Sequence, residues 1–352
     1  MTITQEVWGT HDELPIILYT MTNAQGEWVK LTNLGATVVG AGVRDNKGNI
    51  EDVILGYKDF KSYVCDGPAM GKSVGRYANR IAAGKFTLEG NTYNLAVNNG
   101  PNHLHGGPSG FQNRVWEGRI ETDRIVFAYH SENGEEGYPG DMYIEAVFDW
   151  DDDSALEITY RAKANATTIV NLTNHLYLNL KGASVDQYKG GIEDHTLKLY
   201  AAKFLPTNDS AIPTGELQDV TNTPMDFIEP HVIGERINEP YEHLIIGKGY
   251  DHCWAVDGYE KDKFSVAAEL SYPENGRVVE VITTQPGIQI YTGNWLSGSP
   301  ENKTGGRYND RDGVALECQS FPDTPNKPQF PSCVLEVGDM YEQRIIYKFK
   351  TI

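Results

Sequence analysis

Residues 170–180 largely alternate between apolar and hydrogen-bonding side chains. In an extended chain successive side chains point to opposite faces, so the valine and the four leucines of this stretch share one face. The opposite face carries the polar set: Asn171, Thr173, His175, Tyr177 and Asn179. A solvated strand face more often carries lysine, glutamate or arginine. The pattern therefore predicts a strand whose polar face lies inside a cleft, within reach of a ligand.

The rest of the chain consists of short strand-like segments separated by turns. Segments rich in β-branched and aromatic residues begin at Arg124 and Ala155, among other positions, and this composition is typical of strands. Turn sequences such as DNKG at 45–48 separate them. Helical periodicity is confined to one or two turns near 58–64 and 231–237.

No internal repeat, low-complexity tract or flexible Gly/Ser linker divides the 352 residues. A propeller would need a blade signature recurring at about 40–50 residues, and none is visible. We therefore predict an all-β fold, a large antiparallel β-sandwich with few short helices, formed by residues 1–352 as a single domain.

The charge of the chain limits its partners. Lysine and arginine number 30 against 49 aspartates and glutamates, which gives a formal net charge of −19. Nucleic acids and anionic membranes are bound through clustered cations, so neither is an expected partner. The sequence carries no secretion-signal pattern and no long apolar run, and its four cysteines are widely spaced, as is typical of unpaired thiols in a reducing compartment. We expect a cytoplasmic protein, either a monomer or a weak homodimer.

Four further stretches concentrate functional side chains: GRYANRIAAGKF at 75–86, NNGPNHLHGG at 98–107, GKGYDHCWAV at 247–256 and GVALECQSF at 313–321. In the last of these, Glu317 is the one charged residue among apolar neighbours, and carboxylates are rarely buried without a partner or a purpose. Desolvation would raise its pKa and make it a more capable base near neutral pH. The alternative is that Glu317 faces solvent on a strand edge.

His103 and His105 form an H-x-H pair, which on an extended strand would place both imidazoles on the same side and invites comparison with metal sites. The next acidic residue, Glu117, lies too far along the chain for the usual close carboxylate ligand. We therefore favour a histidine that donates to a bound hydroxyl, with a turn-capping histidine as the alternative. Arg76 and Arg80 either bind a ligand or form surface ion pairs.

Six motifs then carry a resemblance to a known family: NRIAAGKF, NHLHGG, NLTNHLYLNL, GYDHCW, TTQPGIQIYTGN and ALECQSFPDTPN. In their order and approximate spacing, from about residue 8 to the carboxyl terminus, the chain resembles the aldose 1-epimerases, or galactose mutarotases. The resemblance implies a large β-sandwich that binds a free aldohexose, such as galactose or glucose, in an open cleft. It implies neither a metal nor an organic cofactor.

The resemblance also implies roles for individual residues. Glu317 matches the general base that takes the proton from the anomeric hydroxyl, and His175 matches the general acid that protonates the ring oxygen. The open-chain aldehyde then turns about its C1–C2 bond and closes again on the other carbonyl face.

Five further residues are expected to bind the sugar. His105 would contact it near the reacting centre and could share the acid role. Arg80 and Asp251 would bind its hydroxyls. Asn79 and Gln285 would lie in or next to the cleft.

Three other functions remain open at this point. An epimerase of hexose 6-phosphates would need a cationic pocket for the phosphate dianion, to which Arg76 and Arg80 are the candidates. A noncatalytic carbohydrate-binding protein would have no need of a buried base. A glycoside hydrolase would need two cooperating carboxylates, for which Asp251 and Glu317 are the nearest pair of candidates.

Overall fold

The computed structural model describes residues 1–183 and 191–352, and most of its regular structure is β-strand. In chain order the strands are β1 (Thr2–His11), β2 (Leu14–Thr22), β3 (Trp28–Thr32), β4 (Thr37–Arg44), β5 (Ile50–Asp52), β6 (Ser73–Val74), β7 (Arg80–Ile81), β8 (Lys85–Leu88), β9 (Asn91–Asn94), β10 (His103–Leu104), β11 (Glu117–Glu121), β12 (Arg124–Ser131), β13 (Met142–Trp150), β14 (Ala155–Ala164), β15 (Thr168–Ile169), β16 (Thr173–Asn174), β17 (Tyr177–Leu178), β18 (Thr196–Leu199), β19 (Lys203–Phe204), β20 (Gln218–Asp219), β21 (His231–Val232), β22 (Asp251–Ala255), β23 (Ser265–Tyr272), β24 (Arg277–Thr283), β25 (Gly287–Tyr291), β26 (Val314–Gln319), β27 (Val334–Leu335) and β28 (Tyr341–Thr351).

Helices are few and short. The α-helices of the described residues are α1 (Phe60–Val64), α2 (Ile233–Arg236) and α3 (Glu242–Gly247). Helices α1 and α2 lie where the sequence predicted helical turns. The side chain of Asp59 caps α1 by accepting a hydrogen bond from the backbone N–H of Ser62. Single turns of 3-10 helix occur at Ala82–Gly84, Phe111–Asn113, Glu135–Gly137 and Thr324–Asn326.

Three large antiparallel sheets organise the chain. The first has the order β1-β2-β3-β4-β5, the second β11-β12-β13-β14-β28-β24-β23-β18-β21, and the third β17-β26-β25-β22-β19-β20. In the second sheet the carboxyl-terminal strand β28 lies between β14 and β24. The prediction of an all-β, antiparallel fold with few short helices is confirmed.

The second and third sheets face each other. Tyr347 and Gln343 on β28 donate side-chain hydrogen bonds of 2.9 Å and 2.8 Å to the carbonyl oxygens of Leu316 and Cys318 on β26. One apolar cluster draws buried residues from all three sheets. Because the sheets share this core, we infer that the chain forms a single domain.

Strand β26 shows how the fold positions a site. Leu316 and Cys318 belong to the shared core, so Glu317 between them points to the opposite face of the sheet. The same alternation holds on the neighbouring strands, where Ile290 and Trp254 face the core. The third sheet therefore has an apolar face toward the second sheet and a polar face turned away from it.

Residues 170–180 alternate as predicted but do not form a single strand. The strand is interrupted: Thr173 and Asn174 pair with β6, and Tyr177 and Leu178 pair with β26. The valine and the leucines of the stretch enter the shared core. His175 lies in the crossing between β16 and β17, where the extended chain passes from one partner strand to another.

All four cysteines are free thiols, as their spacing predicted. In the part of the chain that the structure describes, no helix has the length and the apolar character needed to cross a bilayer.

Candidate active site

A cavity of about 660 Å³ opens on the polar face of the third sheet. It is lined by Cys65, Gly67, Pro68, Asn79, Arg80, Asn99, Leu104, His105, His175, Tyr177, Asp251, Tyr291, Trp295, Ser297, Gly298, Ser299, Pro300 and Glu317. The cavity thus brings together six of the seven site residues that the sequence predicted. Gln285 is the exception.

Neighbouring strands supply the carboxylate side of the cavity. In the sheet register Gln289 on β25 lies opposite Glu317 on β26, and Asp251 on β22 lies opposite Tyr291 on β25. These side chains project from the same face because they occupy alternate positions. Gln289 Nε2 donates a hydrogen bond of 2.7 Å to Asp251 Oδ1, which fixes the orientation of that carboxylate.

His175 faces Glu317 across the floor of the cavity. Its Nε2 atom lies 3.5 Å from Glu317 Oε1, and both side chains are buried. Two backbone hydrogen bonds hold the residue, since its N–H donates to the Lys72 carbonyl at 2.8 Å and its carbonyl accepts from the Gly71 N–H at 2.9 Å. The ring of Tyr177 packs against the imidazole at a centroid distance of 4.9 Å.

Asn79 determines which nitrogen of His105 carries its proton. The backbone N–H of Asn79 donates to His105 Nδ1 at 3.1 Å, and the His105 N–H donates back to the Asn79 carbonyl at 3.2 Å. Since Nδ1 accepts, the neutral imidazole carries its proton on Nε2. Both residues have positive φ angles, 64° for Asn79 and 52° for His105. This strained double turn presents His105 as a hydrogen-bond donor about 5.5 Å, ring to ring, from His175.

Arg80 supplies the cation of the cavity wall. Its Nε donates to Asn99 Oδ1 at 3.0 Å, and one terminal nitrogen lies 3.7 Å from Asp251 Oδ2. The guanidinium and the carboxylate are thus held side by side, each with further hydrogen-bonding capacity. A donor and an acceptor fixed next to each other suit the adjacent hydroxyls of a sugar.

Burial sets the proton affinities of the central groups. It raises the pKa of Glu317 well above its ordinary value; the Asp251 carboxylate adds to this rise, and Arg80 opposes it. Burial lowers the pKa of His175 to about 4. Burial also lowers the pKa of His105, and the neighbouring His175 and Arg80 lower it further. Two groups whose pKa values are pushed in opposite directions at close range are typical of an acid and base pair.

Comparison with known proteins identifies the family to which this arrangement belongs. A family model described as aldose 1-epimerase matches residues 18–348, which is nearly the whole chain. The chain belongs to the aldose 1-epimerase family. It is 40% identical over 321 residues to galactose mutarotase from Bos taurus, covering 91% of this chain and 90% of the relative. It is 35% identical over 341 residues to aldose 1-epimerase from Escherichia coli (strain K12), covering 96% of each.

Solved structures of the aldose 1-epimerase family match the fold. A galactose 1-epimerase from Lactobacillus acidophilus superposes with a TM-score of 0.85 at 25% identity, covering 99% of both chains. An aldose epimerase homologue from C. elegans gives a TM-score of 0.85 at 29% identity, covering 95% of this chain and 98% of the other. The sandwich architecture predicted from the sequence is therefore that of the family, and the chain is an isomerase.

The structure assigns much of the polar face of residues 170–180 to the protein itself. Asn171 Nδ2 donates to the Ala78 carbonyl, and its Oδ1 accepts from the Ser320 N–H. Thr173 donates to the Cys318 carbonyl, and Asn179 to that of Asp312. The expectation that these side chains face a ligand is wrong, because they hold the interrupted strand to its neighbours.

His103 and Arg76, two further candidates from the sequence, also bond within the protein and not to a ligand. His103 Nδ1 lies 2.7 Å from the Ala96 carbonyl and its Nε2 lies 2.7 Å from Tyr138 Oη, so neither nitrogen is available to a ligand or a metal. Arg76 is not a surface residue: its buried guanidinium donates to the carbonyls of Pro139 and Gly140. Within residues 1–183 and 191–352, no three His, Cys, Asp or Glu side chains are grouped to hold a metal ion.

Gln285 does not line the cavity, and a second glutamine of the same segment, Gln289, bonds a residue that does. Gln285 precedes β25, and its Oε1 accepts from Ser320 Oγ at 3.5 Å. Gln289 lies within the strand, opposite Glu317 on β26 and Cys253 on β22, and its side chain reaches Asp251 diagonally. Strand alternation could have identified Gln289, since Gln289 and Tyr291 have the same parity and share a face of β25. No alternation pattern pointed to Trp295, the exposed aromatic residue at the rim of the cavity.

Proposed function

We propose that this protein interconverts the α and β anomers of free aldohexoses, such as galactose and glucose, by opening and reclosing the pyranose ring. The observation that carries this proposal is the Glu317 and His175 pair, 3.5 Å apart at the floor of a polar cavity. Names of the relatives agree with it, since those proteins are called galactose mutarotase and aldose 1-epimerase.

In the proposed reaction Glu317 is the base. Its Oε2 is buried and has no hydrogen-bond partner among the described residues, so a substrate hydroxyl would satisfy it. The carboxylate takes the proton of the anomeric hydroxyl while His175 gives a proton to the ring oxygen, and the C1–O5 bond breaks. Rotation about C1–C2 and the reverse proton transfers then yield the other anomer.

The pair needs one proton in total, and its position changes during the reaction. In the empty cavity burial disfavours both charges, so the proton resides on Glu317 and His175 is neutral. The reactive arrangement, an ionised Glu317 with a protonated His175, has the same net charge. A hydroxyl that donates to the carboxylate favours the ionised form, and the substrate itself therefore shifts the pair toward reactivity.

Arg80, Asp251 and His105 would bind the sugar. Arg80 donates and Asp251 accepts, and His105 donates from Nε2 because its Nδ1 already accepts from Asn79. We assign Asn79 to fixing His105. We propose that Gln289, which does not itself line the cavity, supports this set by orienting Asp251.

The hexose 6-phosphate alternative has less support. Arg76 is committed to backbone carbonyls, and Arg80 is the one arginine or lysine among the described residues that line the cavity. A phosphate dianion is ordinarily met by several donors of positive charge, so a neutral sugar fits the cavity better. A noncatalytic binding protein would have no use for a buried carboxylate whose Oε2 has no hydrogen-bond partner among the described residues.

Polarimetry on freshly dissolved α-D-galactose, α-D-glucose and α-D-glucose 6-phosphate tests the proposal. We expect the purified protein to speed the approach to the same final rotation for the free sugars, and we expect Glu317→Gln to abolish the acceleration. Decay at the spontaneous rate for both free sugars would reject the proposed function. Faster decay for the phosphate ester than for glucose would move the substrate to phosphosugars.

A further inference from the structure

A buried ion pair lies beneath the cavity, outside the set of residues that would touch a sugar. Lys72 Nζ and Asp66 Oδ2 are 3.4 Å apart, with side-chain exposures of 1% and 0%. Lys72 Nζ also donates to the Tyr63 carbonyl at 2.7 Å. Asp66 accepts from the hydroxyl of Tyr57 and from the backbone N–H of Met70, each at 2.7 Å. The pair therefore closes residues 66–72 into a compact turn.

The backbone of that turn holds His175. Lys72 supplies the carbonyl that accepts from the His175 N–H, and the adjacent Gly71 supplies the N–H that donates to the His175 carbonyl. Asn174 Nδ2 adds a hydrogen bond of 3.0 Å to the Gly71 carbonyl. The peptide groups on both sides of His175 are thus tied to consecutive residues of the turn, so a displacement of the turn displaces the imidazole.

A second link runs through Tyr177. Its hydroxyl donates to the Pro68 carbonyl at 3.1 Å, and its ring packs on the imidazole of His175. Pro68 belongs to the same turn and lines the cavity. The turn therefore contacts His175 through its backbone and, by way of Tyr177, through its ring.

Net stability does not account for an ion pair at this place. Desolvating two charges costs about as much as their attraction returns, so buried pairs often add nothing relative to apolar residues of the same size. Burial accordingly raises the pKa of Asp66 and lowers that of Lys72. The best attested benefit of such a pair is that it selects one arrangement over others.

We propose that Asp66 and Lys72 are positioning residues that hold His175 at its reacting distance from Glu317. This inference rests on the proposed function, because it assigns the pair to the proton donor of that reaction. A misplacement of about 1 Å at a reacting group lowers turnover by roughly 100-fold, even when the change lies away from the chemistry. Arg80 and Asp251 lie on β7 and β22 and not on the turn, so we expect the sugar binding that we assign to them to change little when the turn shifts.

The test compares Lys72→Met and Asp66→Asn with Arg277→Met. Asparagine keeps the size of Asp66, and its amide can still meet Tyr57 and the Met70 N–H. Arg277 is the matched control, since its guanidinium is 2% exposed, pairs with Glu51 and, among the described residues, forms no hydrogen bond or ion pair with a residue that lines the cavity. For each protein we would measure Tm, then kcat and KM per folded molecule by polarimetry, and titrate the His175 imidazole by NMR, assigned with His175→Asn.

For Lys72→Met and Asp66→Asn we expect kcat to fall about 10-fold or more while KM stays within about twofold, because proton transfer and not binding is impaired. We also expect the His175 pKa to rise from about 4 toward the ordinary value near 6.5 as the loosened turn admits water. Arg277→Met should lower Tm and leave both quantities unchanged.

The proposal is overturned if both pair variants lower Tm as the control does but keep wild-type kcat and an unshifted His175 titration. If one of them does not fold, the other decides. If the wild-type protein fails to accelerate rotation at all, the proposed function fails, and the NMR titration alone still decides whether the pair positions His175.

Discussion

The imidazole of His175, between β16 and β17, and the carboxylate of Glu317 on β26 lie 3.5 Å apart, Nε2 to Oε1, at the cavity floor. Burial lowers the pKa of the first to about 4 and raises that of the second well above its ordinary value. A pair so arranged keeps one proton over a wide pH range. It gains a second proton only in acid and loses its last one only as the pH rises through the elevated pKa of Glu317.

The pH profile of kcat/KM should reflect this directly. We expect a broad bell whose acid limb has its midpoint well below 6.5, the ordinary value for histidine, and whose alkaline limb follows Glu317. Initial rates by polarimetry, corrected for the spontaneous reaction at each pH, give the profile. An acid limb centred near 6.5 would mean that the His175 imidazole is solvated, contrary to its burial.

Replacing Glu317 should separate activity from stability. Glu317→Gln keeps the shape of the side chain but removes the base, so kcat should fall by about 10²–10⁴-fold. The pKa of Glu317 is higher in the folded protein than in the unfolded chain, so wild-type Glu317 favours folding only when it is protonated. This contribution is present below the unfolded-state pKa and is lost as the pH rises through the folded-state pKa. The variant should therefore have a Tm equal to or higher than that of wild type at pH 8, with the difference disappearing near pH 4.

Thermal unfolding at both pH values checks the stability half of this prediction. A variant less stable than wild type at pH 8 would indicate that the ionised carboxylate makes stabilising contacts in the free protein. Glutamine tests the charge alone because it has the same number of heavy atoms.

Period-two alternation predicted the face of the chain on which Glu317 and His175 lie, because it survives any later change of partner strand; the resemblance alone implied their roles as base and acid. Glu317 stands between Leu316 and Cys318, and His175 has the opposite parity to the leucines of its stretch, so both point away from the apolar face. The alternation does not show whether the polar side chains bond to a ligand or to other parts of the protein. Asn171 and Thr173 look like ligand-binding residues along the chain, yet their partners, Ser320 and Cys318, come from a distant segment and could not be known from local pattern.

The two glutamines of TTQPGIQIYTGN illustrate the same limit. They lie four positions apart, and only the register of β25 against β26 places Gln289 opposite Glu317 and leaves Gln285 outside the strand. Register between strands that are distant in sequence depends on tertiary packing. The motif therefore indicates the segment, and the register of β25 indicates that Gln289 is the glutamine that reaches Asp251.

Substituting each glutamine separately tests the assignment of Gln289 as the residue that orients Asp251. Gln289→Leu removes the hydrogen bond that orients Asp251, and hydrogen bonds to charged groups contribute about 1.5–3 kcal/mol, so kcat/KM should fall by roughly 10-fold or more. Gln285→Leu is the matched control, since that side chain is also buried but contacts Ser320 instead. Its kcat/KM should stay within about twofold of wild type. Equal losses in the two variants would return Gln285 to the binding set.

Substituting the two arginines of GRYANR should affect different properties, activity for Arg80 and stability for Arg76, although they lie only four positions apart. Arg80→Met removes the cation that faces Asp251 in the cavity, so we expect kcat/KM to fall by roughly 10-fold or more with little change in Tm. Arg76→Met leaves the carbonyls of Pro139 and Gly140 without their buried donor. That change should lower the free energy of unfolding by about 1–3 kcal/mol and leave kcat/KM per folded molecule near wild type. Denaturant titration and polarimetry on both variants decide the assignment, and a loss of kcat/KM in Arg76→Met at unchanged stability would show that its guanidinium serves the sugar after all.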